Sequence, residues 1–140
     1  MIRPGYRLLS HTADLLVEAT AGSFPSLCAV SAEALFSLLT DRRRVRRVLK
    51  RSIEFPATPP DELLLSVLRG SLLLFFLDRF LVRCADAAMT DDKIVVSFEG
   101  EPMDTARHSM KLELKAVTAH ALAVESGPSG VFKARFVVDV

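Results

Sequence analysis

Asp14-Leu15-Leu16-Val17-Glu18-Ala19-Thr20 alternates in character, and the chain closes on a second alternating stretch, Phe132-Lys133-Ala134-Arg135-Phe136-Val137-Val138-Asp139-Val140. A period of two predicts a half-buried β-strand, because successive side chains point to opposite faces. Leu15, Val17 and Ala19 share one face of the first strand, and Asp14, Leu16 and Glu18 the other. Phe132, Ala134, Phe136, Val138 and Val140 share one face of the second, and Lys133, Arg135, Val137 and Asp139 the other. Should these strands be neighbours, the Asp14 and Asp139 carboxylates can converge, with the Val140 main-chain oxygens close by. Such oxygens suit Ca²⁺ or Mg²⁺, whereas Zn²⁺ prefers nitrogen and sulfur. Two aspartates at strand ends are more often turn caps or salt-bridge partners, and spacing leaves those readings open.

Outward from the first strand, Tyr6 to Leu9 forms a short apolar strand that leads into His11-Thr12-Ala13. Gly22-Ser23 breaks the alternation, and Ser23 or Ser26 can cap a helix starting near Pro25. Leu27, Val30, Ala34 and Leu38 recur at helical spacing, and Thr40-Asp41 ends that helix. Ile53 and Phe55 close a strand stopped by Pro56 and Pro59-Pro60. Thr58-Pro59-Pro60-Asp61 reads as a second helix start, with Thr58 as the capping hydroxyl. That helix runs to about Phe80 and is apolar on most of its circumference, so its Leu and Phe row belongs to a core between layers. Strands follow at Leu81 to Ala88 and Ile94 to Phe98, joined by a hairpin-like turn at Thr90-Asp91-Asp92-Lys93. Gly100-Glu101-Pro102-Met103-Asp104 forms a polar loop leading to Arg107-His108, and strands return at Leu112 to Glu125 and Val131 to Val140. The order is β-β-α-β-α and then strands. It predicts an α+β fold in one domain spanning residues 1–140, two main helices packed on a mostly antiparallel or mixed sheet.

Composition narrows the function classes. The 140 residues are half hydrophobic and a quarter charged, with a net charge of +1, so bulk electrostatics announce neither nucleic acid nor membrane. Arg69, Asp78 and Arg79 interrupt the one long apolar stretch, Leu63 to Leu81, and no secretory signal opens the sequence. Cys28 and Cys84 form no CxxC pair and fit reduced, buried thiols, which with the missing signal predicts a cytoplasmic protein. His11, His108 and His120 are far apart, and HExxH, GxSxG and glycine-rich phosphate loops are absent. No nucleophile–base pair occurs at local spacing, so the sequence does not read as an enzyme. His120 is in phase with Leu112, Leu114 and Leu122, which predicts a hydrogen-bonded core histidine, while His108 is expected on an exposed loop. The run from Arg42 to Arg51 is the most basic segment. Guanidinium groups pair well with phosphate, so an RNA-binding module is the alternative function; a solvated charged face is the blander reading.

Several segments together resemble the archease family: Ser10-His11-Thr12-Ala13-Asp14, Asp61-Glu62-Leu63-Leu64, Gly100-Glu101-Pro102-Met103-Asp104 with Arg107-His108, Lys115-Ala116-Val117-Thr118-Ala119-His120, and the ending Phe136-Val137-Val138-Asp139-Val140. The resemblance implies a cytosolic accessory protein, not an enzyme, whose partner is an RtcB-type RNA ligase of tRNA splicing and repair. Such proteins promote guanylylation of the ligase and allow its multiple turnover, with RNA contact indirect or weak and no membrane. The resemblance also implies a metal site, usually calcium, at Asp14 and Asp139 with a main-chain oxygen of Val140. His11, Asp104, His108, Lys115 and His120 are the positions expected to face the partner or to support the ligands.

Overall fold

A computed structural model describes residues 2–10 and 14–140. Seven strands form two antiparallel sheets. The first has the order β1 (Gly5–Ser10), β2 (Asp14–Ala21), β7 (Phe132–Asp139), β6 (Ala116–Ser126); the second has the order β3 (Leu49–Pro56), β5 (Lys93–Pro102), β4 (Phe80–Met89). The alternation around Asp14 and Asp139 is thus the centre of the first sheet, where β2 and β7 run side by side. Helices α1 (Phe24–Leu39) and α2 (Pro60–Asp78) pack on each other and touch both sheets. The fold is α+β, with a helical layer meeting two sheets where the sequence predicts one.

Local chemistry explains both helices. The Ser23 hydroxyl accepts the Ser26 N–H at 3.2 Å, and Pro25 lies in the first turn, where a missing N–H costs nothing. Leu27, Val30, Ala34 and Leu38 are buried, as are Cys28, Leu35, Phe36 and Leu39, so α1 is core on nearly every side. Each fully buried leucine or phenylalanine contributes on the order of 2 kcal/mol. At α2 the cap differs from expectation. Pro59, not Thr58, takes the N-cap position, and no side chain caps the helix. Asp61 and Glu62 in the first turn still suit the helix dipole, and the Asp61 carboxylate also accepts the Val124 N–H of β6 at 3.0 Å. Arg79, in a left-handed conformation, stops α2 one residue before the strand that begins at Phe80. The Leu and Phe row is longer than the faces that cover it: Leu63, Leu64, Val67, Leu68, Leu72 and Phe75 are buried, but Leu73, Phe76 and Leu77 are exposed.

Two predicted segments are arranged differently. Gly100-Glu101-Pro102 is not loop but the end of β5, because β4 pairs with it as far as Phe80 opposite Pro102. Gly100 makes that pairing possible. A Cβ there would lie 1.8 Å from the Leu81 carbonyl oxygen, beside the point where β4 shifts register between Val82 and Cys84. The strand predicted from Leu112 begins only at Ala116, and Leu112 is exposed. No helix among the described residues is long and apolar enough to cross a membrane.

Candidate functional site

The register of β2 on β7 sets Asp14 directly opposite Asp139. Both residues are half-buried at the end of the first sheet, and the following Val140 is exposed. The facing Asp14 carboxylate, within hydrogen-bonding reach, pushes the Asp139 carboxyl above its usual range; partial desolvation and the like charge act in the same direction. Lys115 counters them. Its N–H donates to the Asp139 carbonyl at 2.8 Å, and its charge favours the ionised acid. Ala116 follows opposite Asp139 on β6, so Lys115 enters the pair from the neighbouring strand. Sequence reasoning thus named three residues that the fold brings together: Asp14, Asp139 and Lys115. Among the described residues no three His, Cys, Asp or Glu side chains converge in a metal-binding group. His11 lies outside the described residues.

The second polar centre is Glu101, buried at the end of β5. Its carboxylate accepts from three directions: the Arg107 guanidinium at Oε1, the Arg46 N–H at Oε2 (2.7 Å) and the His108 ring at Oε2 (3.0 Å). His108 Nδ1 accepts the Asp104 N–H at 2.9 Å, so Nδ1 carries no proton and Nε2–H is the donor to Glu101. His108 is therefore buried rather than exposed. Asp104, half-exposed, closes the same turn: its carbonyl accepts the Arg107 and His108 N–H groups and its carboxylate the Ala106 N–H. Burial alone would raise the Glu101 carboxyl, but the Arg107, Arg46 and His108 hydrogen bonds outweigh it and hold the group at about 2. Glu101 joins the Arg46 segment to the 104–108 turn, a structural clamp in which the His108 ring is buried.

His120 is exposed, against its predicted core position. The physical reason is a break in the alternation. Ala121 has φ of 58°, and the pairing of β6 with β7 shifts register between Thr118 and Ala123, so residues on either side no longer share a phase.

Sequence reasoning missed Glu101 and a third centre, Glu18. Glu18 is buried on β2 and accepts from Arg7 at 2.9 Å and Arg135 at 3.0 Å, with Lys133 at 3.9 Å. Burial works against its charge, yet the Arg135 and Arg7 hydrogen bonds prevail and hold its carboxyl below the ordinary value. A signal existed. The register that sets Asp14 against Asp139 also sets Glu18 against Arg135.

The Archease protein family (MTH1598/TM1083) model matches residues 6–140. The protein archease of Pyrococcus abyssi is 25% identical over 134 residues, covering 93% of this chain and 94% of that protein. The protein archease of Methanopyrus kandleri is 31% identical over 136 residues, covering 94% and 96%. The solution structure of Methanobacterium thermoautotrophicum protein 1598 superposes with a TM-score of 0.78 at 25% identity, covering 97% of this chain and 99% of that one. A family match over almost the whole chain, with the same fold in a solved relative, establishes that this chain belongs to the archease family.

Proposed function

We propose that this chain is a non-enzymatic accessory protein that activates an RtcB-type RNA ligase in tRNA splicing and RNA repair. It would act in the cytoplasm, promoting guanylylation of the ligase and hence multiple turnover. The observation that carries the proposal is the direct opposition of Asp14 and Asp139 in a chain of the archease family. Like charges directly opposite each other destabilise an antiparallel pair, so two carboxylates kept face to face invite a cation between them. The oxygen donor set fits calcium, with magnesium the alternative. Asp14, Asp139 and the Val140 main-chain oxygen would hold the ion. Calcium takes six to eight oxygens, so water or partner groups would complete the shell. When bound, the ion supplies fixed positive charge that can engage carboxylate oxygens of the ligase or phosphate oxygens of its nucleotide.

The chain's own residues do the positioning. The β2–β7 ladder holds both carboxylates on rigid backbone, and Lys115 fixes the Asp139 main chain through its N–H. An accessory role is supported by how the other reactive groups are engaged. The His108 ring is committed to Glu101 and to the Asp104 N–H, and burial pushes the Cys28 thiol up to about 12. The test is a guanylylation assay on the cognate ligase, with and without this chain and a chelator. Stimulation is expected with the unmodified chain and lost with chelator, Asp14→Ala or Asp139→Ala. Full stimulation by the folded double variant would overturn the metal site; no stimulation by the unmodified chain would overturn the ligase role.

A further inference from the structure

The arginine run does not lie on the surface as one charged strip. Arg42–Arg44 form a short 3-10 turn, capped by Asp41, and the chain then turns at buried Val45. The folding places Arg42, Arg43, Arg44 and Arg46 of the run in two hollows. One, of about 380 Å³, is lined by Arg43, Arg44, Arg46, Ala106 and Arg107. The other, of about 390 Å³, brings Arg42 and Arg43 together with Arg83 of β4 and Lys111, bordered by Asp41 and the Thr40 hydroxyl. Arg43 lines both, so the hollows adjoin.

Arg43, Arg44 and Arg46 are exposed, yet two of the guanidinium groups around the first hollow are held by carboxylates. Arg43 is held by Asp41 through Nε and Nη2, each at 3.0 Å, which leaves Nη1 for another acceptor. Arg107 is held by Glu101 through Nη2, with Nε 3.4 Å from Asp104, which again leaves Nη1. Carboxylates thus fix two guanidinium forks in advance. Arg44 and Arg46 form no ion pair among the described residues, and their charge faces the hollow unbalanced. In the second hollow, Arg42 stands 3.7 Å from Glu33, yet its Nε and Nη1 make no hydrogen bond among the described residues. The Arg44 and Arg46 forks can meet phosphate oxygens bidentately, and Nη1 of the two held guanidinium groups can add one hydrogen bond each from a position fixed beforehand.

We propose that the two hollows form one track for the phosphate backbone of a polynucleotide, running from Arg44, Arg46 and Arg107 across Arg43 to Arg83 and Lys111. Two adjoining hollows suit successive phosphates better than one compact polyphosphate. No aromatic ring lines the first hollow; the second has one, Tyr6, whose hydroxyl is tied to Ser37 at 2.7 Å. With one ring beside several cations, binding is chiefly electrostatic and follows the backbone more than the base sequence. The site is separate from the Asp14–Asp139 pair, and the test needs no ligase.

The experiment measures anisotropy of a labelled single-stranded RNA oligonucleotide, titrated with the chain from low to physiological salt. Binding is expected at low salt, falling with a log–log slope of ~0.7 for each phosphate neutralised. Arg44→Gln with Arg46→Gln should weaken it at least tenfold and flatten the slope, and Lys111→Gln should weaken it by a smaller factor. Lys50→Gln removes a charge from the same run outside both hollows and should leave binding unchanged. Melting curves confirm that the exposed substitutions leave the fold intact. Lack of binding by the unmodified chain, or equal losses in the Lys50 and Arg44/Arg46 variants, would overturn the track. So would tripolyphosphate or poly-glutamate competing, per charge, better than unlabelled RNA.

Discussion

Replacing Glu101 by glutamine tests the clamp at nearly constant volume. The carboxylate offers two oxygens to three donors, Arg107, the Arg46 N–H and the His108 Nε2–H. An amide keeps one oxygen and turns an NH₂ toward donors. If that oxygen stays with Arg46 and His108, Arg107 loses its acceptor. If it goes to Arg107, a buried backbone N–H and a buried imidazole N–H are both stranded. A hydrogen bond to a charged group is worth about 1.5–3 kcal/mol, and a stranded buried donor costs about 1–3 kcal/mol. Arg107 reaches partly into solvent and can recover by hydration, so the first arrangement should win, with a net cost of about 2 kcal/mol. For a chain of this size that lowers Tm by roughly 8 °C. The sign of the pH dependence follows from the depressed carboxyl. Glu101 is held at about 2, against 4.5 as its ordinary value, so its stabilisation is complete above about 4.5 and lost as pH falls toward 2. Urea unfolding of both proteins at pH 7, 5, 4 and 3 should therefore give a gap that is constant from 7 to 5 and then narrows. A gap below about 0.5 kcal/mol at pH 7, or one unchanged at pH 3, would refute the clamp.

Gly100→Ala would set a methyl 1.8 Å from the Leu81 carbonyl oxygen, where backbone and not a flexible side chain must yield. We expect a loss of at least about 3 kcal/mol, visible in thermal melts, and near-normal stability would exclude the close approach. Asp139→Asn removes one of two facing charges, so Tm in chelator should hold or rise, while the calcium-induced rise expected of the unmodified protein should vanish. Equal calcium-induced shifts in both proteins would place the ion elsewhere.

Much of this was legible because β2 and β7 obey strict alternation. Their phases alone put Asp14 and Asp139 on corresponding faces, and only their adjacency remained for the fold to supply. The failures lie where alternation is interrupted. His120 was assigned to the core by counting in twos from Leu112, but the strand begins later and Ala121 breaks the phase. Glu101 and His108 were harder. A buried carboxylate is tolerable only with donors around it, and those donors come from Arg46, 55 residues earlier, and from a turn whose geometry no periodicity encodes. Gly100 looked like a turn glycine because the sequence does not reveal a close approach between strands.

The three acidic centres show how one residue type is put to different uses by its neighbours. Glu18 and Glu101 are buried and surrounded by cations and N–H donors, so each is ionised and bound on all sides; they hold strands and loops together. Asp14 and Asp139 are less buried, face one another and have Lys115 as the nearby cation. A structural role would favour the first arrangement, because an acid satisfied by arginine stabilises the fold and a pair of facing acids strains it. Among the described residues, the Asp14–Asp139 pair is therefore the one acidic centre of the three whose chemistry the surrounding side chains leave incomplete. That incompleteness, more than the presence of two carboxylates, makes it the place where an ion and a partner would act.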